Sequence, residues 1–166
     1  MPPDPSPEFS RPLPLGAVPQ SGRRISLEAT PAECAALAAR FDILALDSLA
    51  AELQLTVEEE GTVRVEGRIA ASLAQACIVT LEPVAQQVDH EVALRLLPPG
   101  REPQDGPDDL DEIDCPDGVA DLGEAVAEQL ALALDPYPRA PDAELPDEAT
   151  DLSAGAFAAL AGIRRN

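Results

Sequence analysis

The chain has no lysine and no tryptophan, a single histidine, and only four aromatic residues, Phe9, Phe41, Tyr137 and Phe157. Aromatic residues so few and so scattered cannot form a platform on which nucleic-acid bases stack. The core must instead be built from Leu, Val, Ile and Ala. Positive charge is also scarce, with 31 carboxylates against 11 arginines and a formal charge of −20. Phosphate recognition needs clustered cations, so unaided binding to naked nucleic acid or to an anionic membrane is disfavoured, whereas a basic partner is favoured. The missing lysine fits codon bias in a GC-rich genome and carries no functional weight. Three distant cysteines, Cys34, Cys77 and Cys115, argue against a disulfide framework and for a reducing compartment. No apolar run approaches the ~20 residues of a membrane span. The opening MPPDPSPEFSR has neither the basic nor the apolar region of a secretion signal, so a cytoplasmic location is expected.

The most informative stretch present is Thr62 to Leu97, two alternating runs joined by a break at Leu81-Glu82-Pro83-Val84. Val63, Val65, Ile69, Ala71 and Leu73 share one face of the first run, with Arg64, Glu66, Arg68 and Ser72 on the other. In the second, Val84, Val88, Val92, Leu94 and Leu96 oppose Gln87, Asp89, Glu91 and Arg95. A sustained period of two around a Pro-containing break predicts an antiparallel hairpin with one wet face. Cys77 and His90 both fall on the apolar parity.

The fold class expected is α+β, an antiparallel meander and hairpin packed by two amphipathic helices, with Pro-rich and acidic disordered segments. Residues 1–22 hold seven of the 18 prolines and should be extended or partly disordered. A single domain is expected over 23–137. It opens with a short strand at Ile25–Ala29, a candidate fourth strand of the sheet. Thr30-Pro31-Ala32-Glu33 has the form of a capping box with proline in the first turn, predicting a helix to about Phe41. Leu46 to Ala51 reads as a short helical turn, and Leu53 to Glu58 as a strand. Residues 98–118 carry eight carboxylates and one arginine, predicting a mobile acidic loop. A second capping box at Asp121-Leu122-Gly123-Glu124 opens a helix with Leu122, Val126, Leu130 and Leu134 on one stripe, stopped by Asp135-Pro136. Residues 138–166 read as an acidic, Pro-rich tail ending in a short helix from Ser153 to Arg165, which either docks on the domain or awaits a partner.

Few residues support chemistry. A zinc site needs four ligands, and Cys77 has Thr80 where a Cys-x-x-Cys partner would stand. With one Cys and one His on a core-facing parity, a metal site and a Cys/His nucleophile are both disfavoured against buried structural roles. The acidic loop offers carboxylates, but chemistry needs them held rigidly in a cleft. Asp108, Asp109, Asp111 and Glu112 read better as a solvated face or as electrostatic bait for a basic protein. No cofactor is indicated. Gly67, inside a strand, marks a bulge or a close backbone approach.

Several of these stretches, taken in order, resemble the YceD family, whose members are linked to accumulation of large-subunit ribosomal RNA. They are Val65-Glu66-Gly67-Arg68, then Gln75 to Val84 with Cys77, Leu81, Glu82 and Pro83, then Asp121-Leu122-Gly123-Glu124, and finally Leu132 to Arg139 with Pro136. The Thr-Leu-Glu-Pro-Val turn resembles the alphaproteobacterial branch, and the likeness covers most of residues 8–163. Two departures stand out: Thr80 replaces a second cysteine found in many members, and Ala156 replaces proline in the closing pattern. A zinc role is therefore not carried over.

The resemblance implies ribosome biogenesis but no mechanism. The leading expectation is a non-enzymatic factor that binds a basic large-subunit ribosomal protein or a protein-covered pre-ribosomal particle. Candidate contacts are the acidic loop and Phe157 and Leu160 of the last helix. Direct RNA contact through the outward Arg64, Arg68 and Arg95 is the alternative, and a small metal-dependent hydrolase is a third, weaker reading.

Overall fold

The computed structural model describes residues 7–104, 106 and 110–144. Its main sheet has five strands in the order β2-β3-β4-β5-β6, and β1 and β7 form a separate two-stranded sheet. In chain order these are β1 (Pro12–Pro14), β2 (Arg23–Glu28), α1 (Pro31–Arg40), β3 (Ala45–Val57), β4 (Val63–Ala76), β5 (Pro83–Leu97), β6 (Asp111–Asp114), β7 (Val119–Asp121) and α2 (Leu122–Ala133). The α+β class and the antiparallel meander of β3, β4 and β5 are as the patterns predict. The β5–β6 pair is the exception, running parallel.

The alternation read from the hairpin sets the register. Val63, Val65, Ile69, Ala71 and Leu73 pair with Leu96, Leu94, His90, Val88 and Gln86 on one face. On that face Leu53, Leu55, Val63, Val65, Ile69, Leu73, Val92, Leu94 and Leu96 are all buried. Gly67 pairs with Leu53 and Val92 without a register shift. A β-carbon there would fall on the Glu52 carbonyl oxygen, so the close-approach reading applies and the bulge reading does not.

The bulge lies elsewhere and corrects one expectation. Leu46 to Ala51 is not a helical turn but part of β3, with an irregularity between Leu46 and Ser48. The extra residue, Asp47, places Leu46 and Leu49 on the same buried side despite their spacing of three. A bulge thereby imitates helical periodicity in the sequence.

Helix α1 starts as predicted. Thr30 Oγ1 accepts from the Glu33 amide at 3.2 Å and Glu33 Oε2 accepts from the Thr30 amide at 2.8 Å, and Cys34, Leu37 and Ala38 are buried. Helix α2 has Asp121 as its cap, but the reciprocal half of the expected box is replaced. The Asp121 carboxylate accepts from the Glu124 amide (3.1 Å), the Arg11 amide (2.7 Å) and the Ser10 hydroxyl (2.5 Å).

Those last two bonds tie down residues 7–22 of the proline-rich N-terminal segment, which hold the short strand β1 and one helical turn at Leu15–Ala17 and are packed rather than loose. Phe9, Leu13, Leu15 and Val18 are buried in the core, and the Leu122 amide donates to the Arg11 carbonyl at 3.0 Å. The Arg11 guanidinium lies 4.5 Å from the centre of the Phe9 ring and grips Glu33 at 2.8 and 3.0 Å. Proline density removes amide donors, but a strand of three residues needs few of them.

The predicted acidic loop is likewise interrupted by order. Asp111 to Asp114 form β6 against Leu94 to Leu97, and Cys115 is buried, its amide donating to the Leu97 carbonyl at 3.0 Å. Ile113 and Cys115, spaced by two, were the apolar signal inside the carboxylate run. The predicted helix at Ser153–Arg165 and the tail from 145 lie outside the described residues.

Candidate protein-binding surface

The outer face of β3 to β5 is a charge ladder dictated by register. Arg64 lies directly opposite Arg95, Arg68 opposite Glu91, and Ala70 opposite Asp89. On the other side Glu52 faces Arg68, and Gln54 faces Glu66. The face therefore does bring Arg64, Arg68 and Arg95 together, as the parity predicts. It also supplies each with carboxylates. Arg64 pairs with Glu66 at 2.6 Å and Glu58 at 3.7 Å, and Arg68 with Asp89 at 2.7 Å and Glu91 at 3.6 Å. Arg95 pairs with Glu58 at 3.0 Å and approaches Glu112 at 4.0 Å. Like charges directly opposite on a sheet repel, and Glu58 sits between Arg64 and Arg95 to offset this. Arg24 on β2, opposite Gln54, is a fourth arginine of this face. The outward parity of Arg24 and Ser26 against Ile25 and Leu27 was the signal for it.

Of the acidic-loop candidates, Asp111 and Glu112 are fixed on β6. Glu112 accepts from the Gln104 amide at 2.7 Å, and Asp111 accepts from the Gln129 side chain of α2 at 3.4 Å. Asp108, Asp109, Phe157 and Leu160 lie outside the described residues.

The hairpin tip differs from the expected short break. The ladder ends at Ala76 opposite Pro83, and the turn is Cys77 to Glu82, closed by the Cys77 amide donating to the Glu82 carbonyl at 2.8 Å. Leu81 takes a left-handed conformation with φ of 62°, a strained choice for a branched side chain. His90 is opposite Ile69, far down the ladder from Cys77, so the two are not neighbours. The turn register, longer than assumed, separates them.

Cys77 is fully buried and holds the turn to the segment after α2. Its Sγ accepts from the Thr80 amide at 3.5 Å and the Ala140 amide at 3.4 Å. The Ile78 amide donates to the Pro138 carbonyl at 2.9 Å, and the Gln75 side chain to the Asp135 carbonyl at 3.0 Å. Hydrogen bonds from the Thr80 side chain, then from the Ala140 and Thr80 amides, pull the thiol down to about 6, against burial. Burial pushes the Cys34 and Cys115 thiols up. Among the described residues no group of three or more His, Cys, Asp or Glu side chains is placed to hold a metal ion.

Gly67, Cys77, Leu81, Glu82, Pro83, Asp121, Leu122 and Pro136 are thus mainly the joints of the fold: the close strand crossing, the hairpin turn, and the start and end of α2. The result is an α+β domain whose distinguishing surfaces are a neutralised charge ladder and a long hairpin. The family model of the large ribosomal RNA subunit accumulation protein YceD matches residues 65–159, more than half of the chain, and the chain belongs to that family. The family takes its name from accumulation of the large ribosomal RNA subunit. Comparison with curated proteins and with solved structures gives no match. No helix among the described residues is long and apolar enough to cross a membrane.

Proposed function

We propose that the protein is a non-enzymatic assembly factor of the large ribosomal subunit, working in the cytoplasm. It binds a basic ribosomal protein, or a pre-ribosomal particle already covered by protein, and so protects the RNA indirectly. Family membership supports the ribosomal context. The observation that carries the choice of partner is the pairing of Arg64, Arg68 and Arg95 with Glu58, Glu66, Asp89, Glu91 and Glu112. An RNA-binding face releases counterions by presenting free cations to phosphates. Here each of the three arginines is already engaged, on a chain with a charge of −20.

Affinity purification from cells at low salt, followed by elution with rising salt and identification of bound protein and RNA, tests this reading. A basic large-subunit protein, released as salt rises, is the expected result. Recovery of bare ribosomal RNA with no protein would replace it by direct RNA binding. For that alternative, an Arg64→Ala/Arg68→Ala variant should lose RNA in a filter-binding assay; under the present reading the variant changes RNA retention little.

A further inference from the structure

β5 runs from Pro83 to Leu97, but β6 pairs with it only from Leu94 to Leu97. Among the described residues, no strand borders its outer edge from Pro83 to Ala93. This edge is long and regular, since the β4–β5 register continues without a shift from Val63↔Leu96 to Ala76↔Pro83. Long unshielded edges are usually shortened, bulged or covered, because alternate residues offer unpaired N–H and C=O groups to any extended chain.

A second feature lies beside the edge. The inner-face residues Val84, Val88 and His90 are only half-buried, whereas Ala71 and Ile69, which lie opposite Val88 and His90 on β4, are buried. A cleft of about 660 Å³ opens between this strip and the end of α2, lined by Val84, Val88, His90 and Leu132. Leu132 is 74% exposed, an unusual position for a large apolar side chain on the rim of a cleft. At the tip of the same hairpin Leu81 is 76% exposed.

The charge along the edge favours one kind of occupant. On the outer face Asp89 and Glu91 share a single cation, Arg68, so one negative charge is left over beside the unpaired backbone. Asp135 and Arg139 on the cleft rim balance one another. We propose that the edge of β5 between Val84 and Val92 is a strand-addition site for an extended basic segment of a partner polypeptide. Alternate side chains of the incoming strand cover Val84, Val88 and Leu132, while the others, Lys or Arg, meet Asp89 and Glu91. A second copy of this chain would instead bring its own Asp89 and Glu91 to a like-charged edge. The proposal rests on the reading of a basic protein partner and adds where that partner docks.

The test uses the full-length protein, amide hydrogen exchange and NMR shifts, and a short capped peptide of alternating Lys and Val as the probe. At low salt, new protection is expected on β5 amides between Val84 and Val92. N-methylation of the peptide along one edge should abolish binding, and along the other edge preserve it. Leu132→Ser and Asp89→Lys should each weaken binding about fivefold, the loss of roughly one contact worth ~1 kcal/mol. Binding indifferent to N-methylation, or matched by oligolysine, would reduce the site to unspecific charge and overturn the proposal. So would protection, already in the free protein, of the β5 amides that face away from β4, whether by dimerisation in light scattering or by the chain's own tail in a monomer. If a basic ribosomal protein co-purifies but leaves these amides unprotected, the docking site is wrong and the partner reading stands. If the peptide adds to β5 but no ribosomal component co-purifies, the site stands and the partner reading falls.

Discussion

Gly123 lies so close to Phe9 that a β-carbon at this position would fall on the Phe9 carbonyl oxygen and stand 2.8 Å from its carbonyl carbon. The contact joins the first turn of α2 to a segment more than a hundred positions earlier, and Ser10 and Arg11 extend it by their bonds to Asp121. Helix propensity alone would make Gly123→Ala neutral or stabilising by up to ~1 kcal/mol. The packing reverses the sign, because neither backbone atom can move aside. Gly123→Ala should destabilise the fold by about 2–3 kcal/mol, read as a fall in the urea midpoint at unchanged slope. A rise in that midpoint would show that the N-terminal segment is not seated on α2.

A second tie of the same segment is pH-dependent. The Arg11 guanidinium and the Thr30 amide hold the Glu33 carboxyl at about 2. A carboxyl lowered on folding contributes stability above its unfolded value near 4.5, and loses that contribution as pH falls toward 2. Arg11→Ala should therefore be less stable than the parent at neutral pH by about 1 kcal/mol, and the gap should close in acid. Chemical denaturation of both proteins at neutral pH and in acid measures it. A gap constant with pH would assign the loss to the stacking of Arg11 on Phe9 instead.

How much was legible in the sequence can be judged from particular residues. Period-two alternation fixed β4 and β5 and their inner and outer faces, and the Thr30 and Asp121 caps located both helices, because these are local signals that the fold did not override. Asp47 defeated the same logic: one inserted residue in β3 shifts the parity, and local spacing cannot separate a bulge from a helical turn. Phe9 and Ile113 were missed for another reason. Each sits among prolines or carboxylates that argue against local structure, and each is held by partners far along the chain. Of the surface, the outward arginines were readable but their neutralisation was not, since Glu58 belongs to the connection between β3 and β4 and comes to Arg95 only through the register. The edge of β5 that no strand borders among the described residues was invisible, because strand order is not written in any single segment.

Glu58 offers a direct test of that neutralisation. Its carboxylate lies between Arg64 and Arg95, at 3.7 and 3.0 Å, and these two arginines face each other across β4 and β5. Glu58→Gln keeps the shape but removes the charge. Stability should fall by about 1 kcal/mol as the facing cations repel. Retention of ribosomal RNA on a filter should rise at low salt, because two guanidinium groups are released toward solvent. A variant that loses stability without gaining RNA retention would mean that Glu66 and Glu112 are sufficient to keep the face neutral.

Cys77 gives the sharpest pH signature. Its thiol, brought down to about 6 by hydrogen bonds from Thr80 and from the Ala140 amide, ionises while Cys34 and Cys115, both pushed up by burial, stay protonated. A group lowered on folding stabilises the native state as pH rises, so stability should climb from about pH 6 to the unfolded thiol value near 8.5 and be level above it. With no tryptophan and one tyrosine in the chain, thiolate absorbance in the ultraviolet is readable against a low background. One step near pH 6 is expected in the folded protein, and none there in Cys77→Ser. The serine variant keeps a polar atom within reach of both amides but cannot ionise, so its stability should be flat over the same interval. Loss of the absorbance step together with a persisting rise in stability would assign the pH dependence to other groups and leave Cys77 as a buried joint of the hairpin tip.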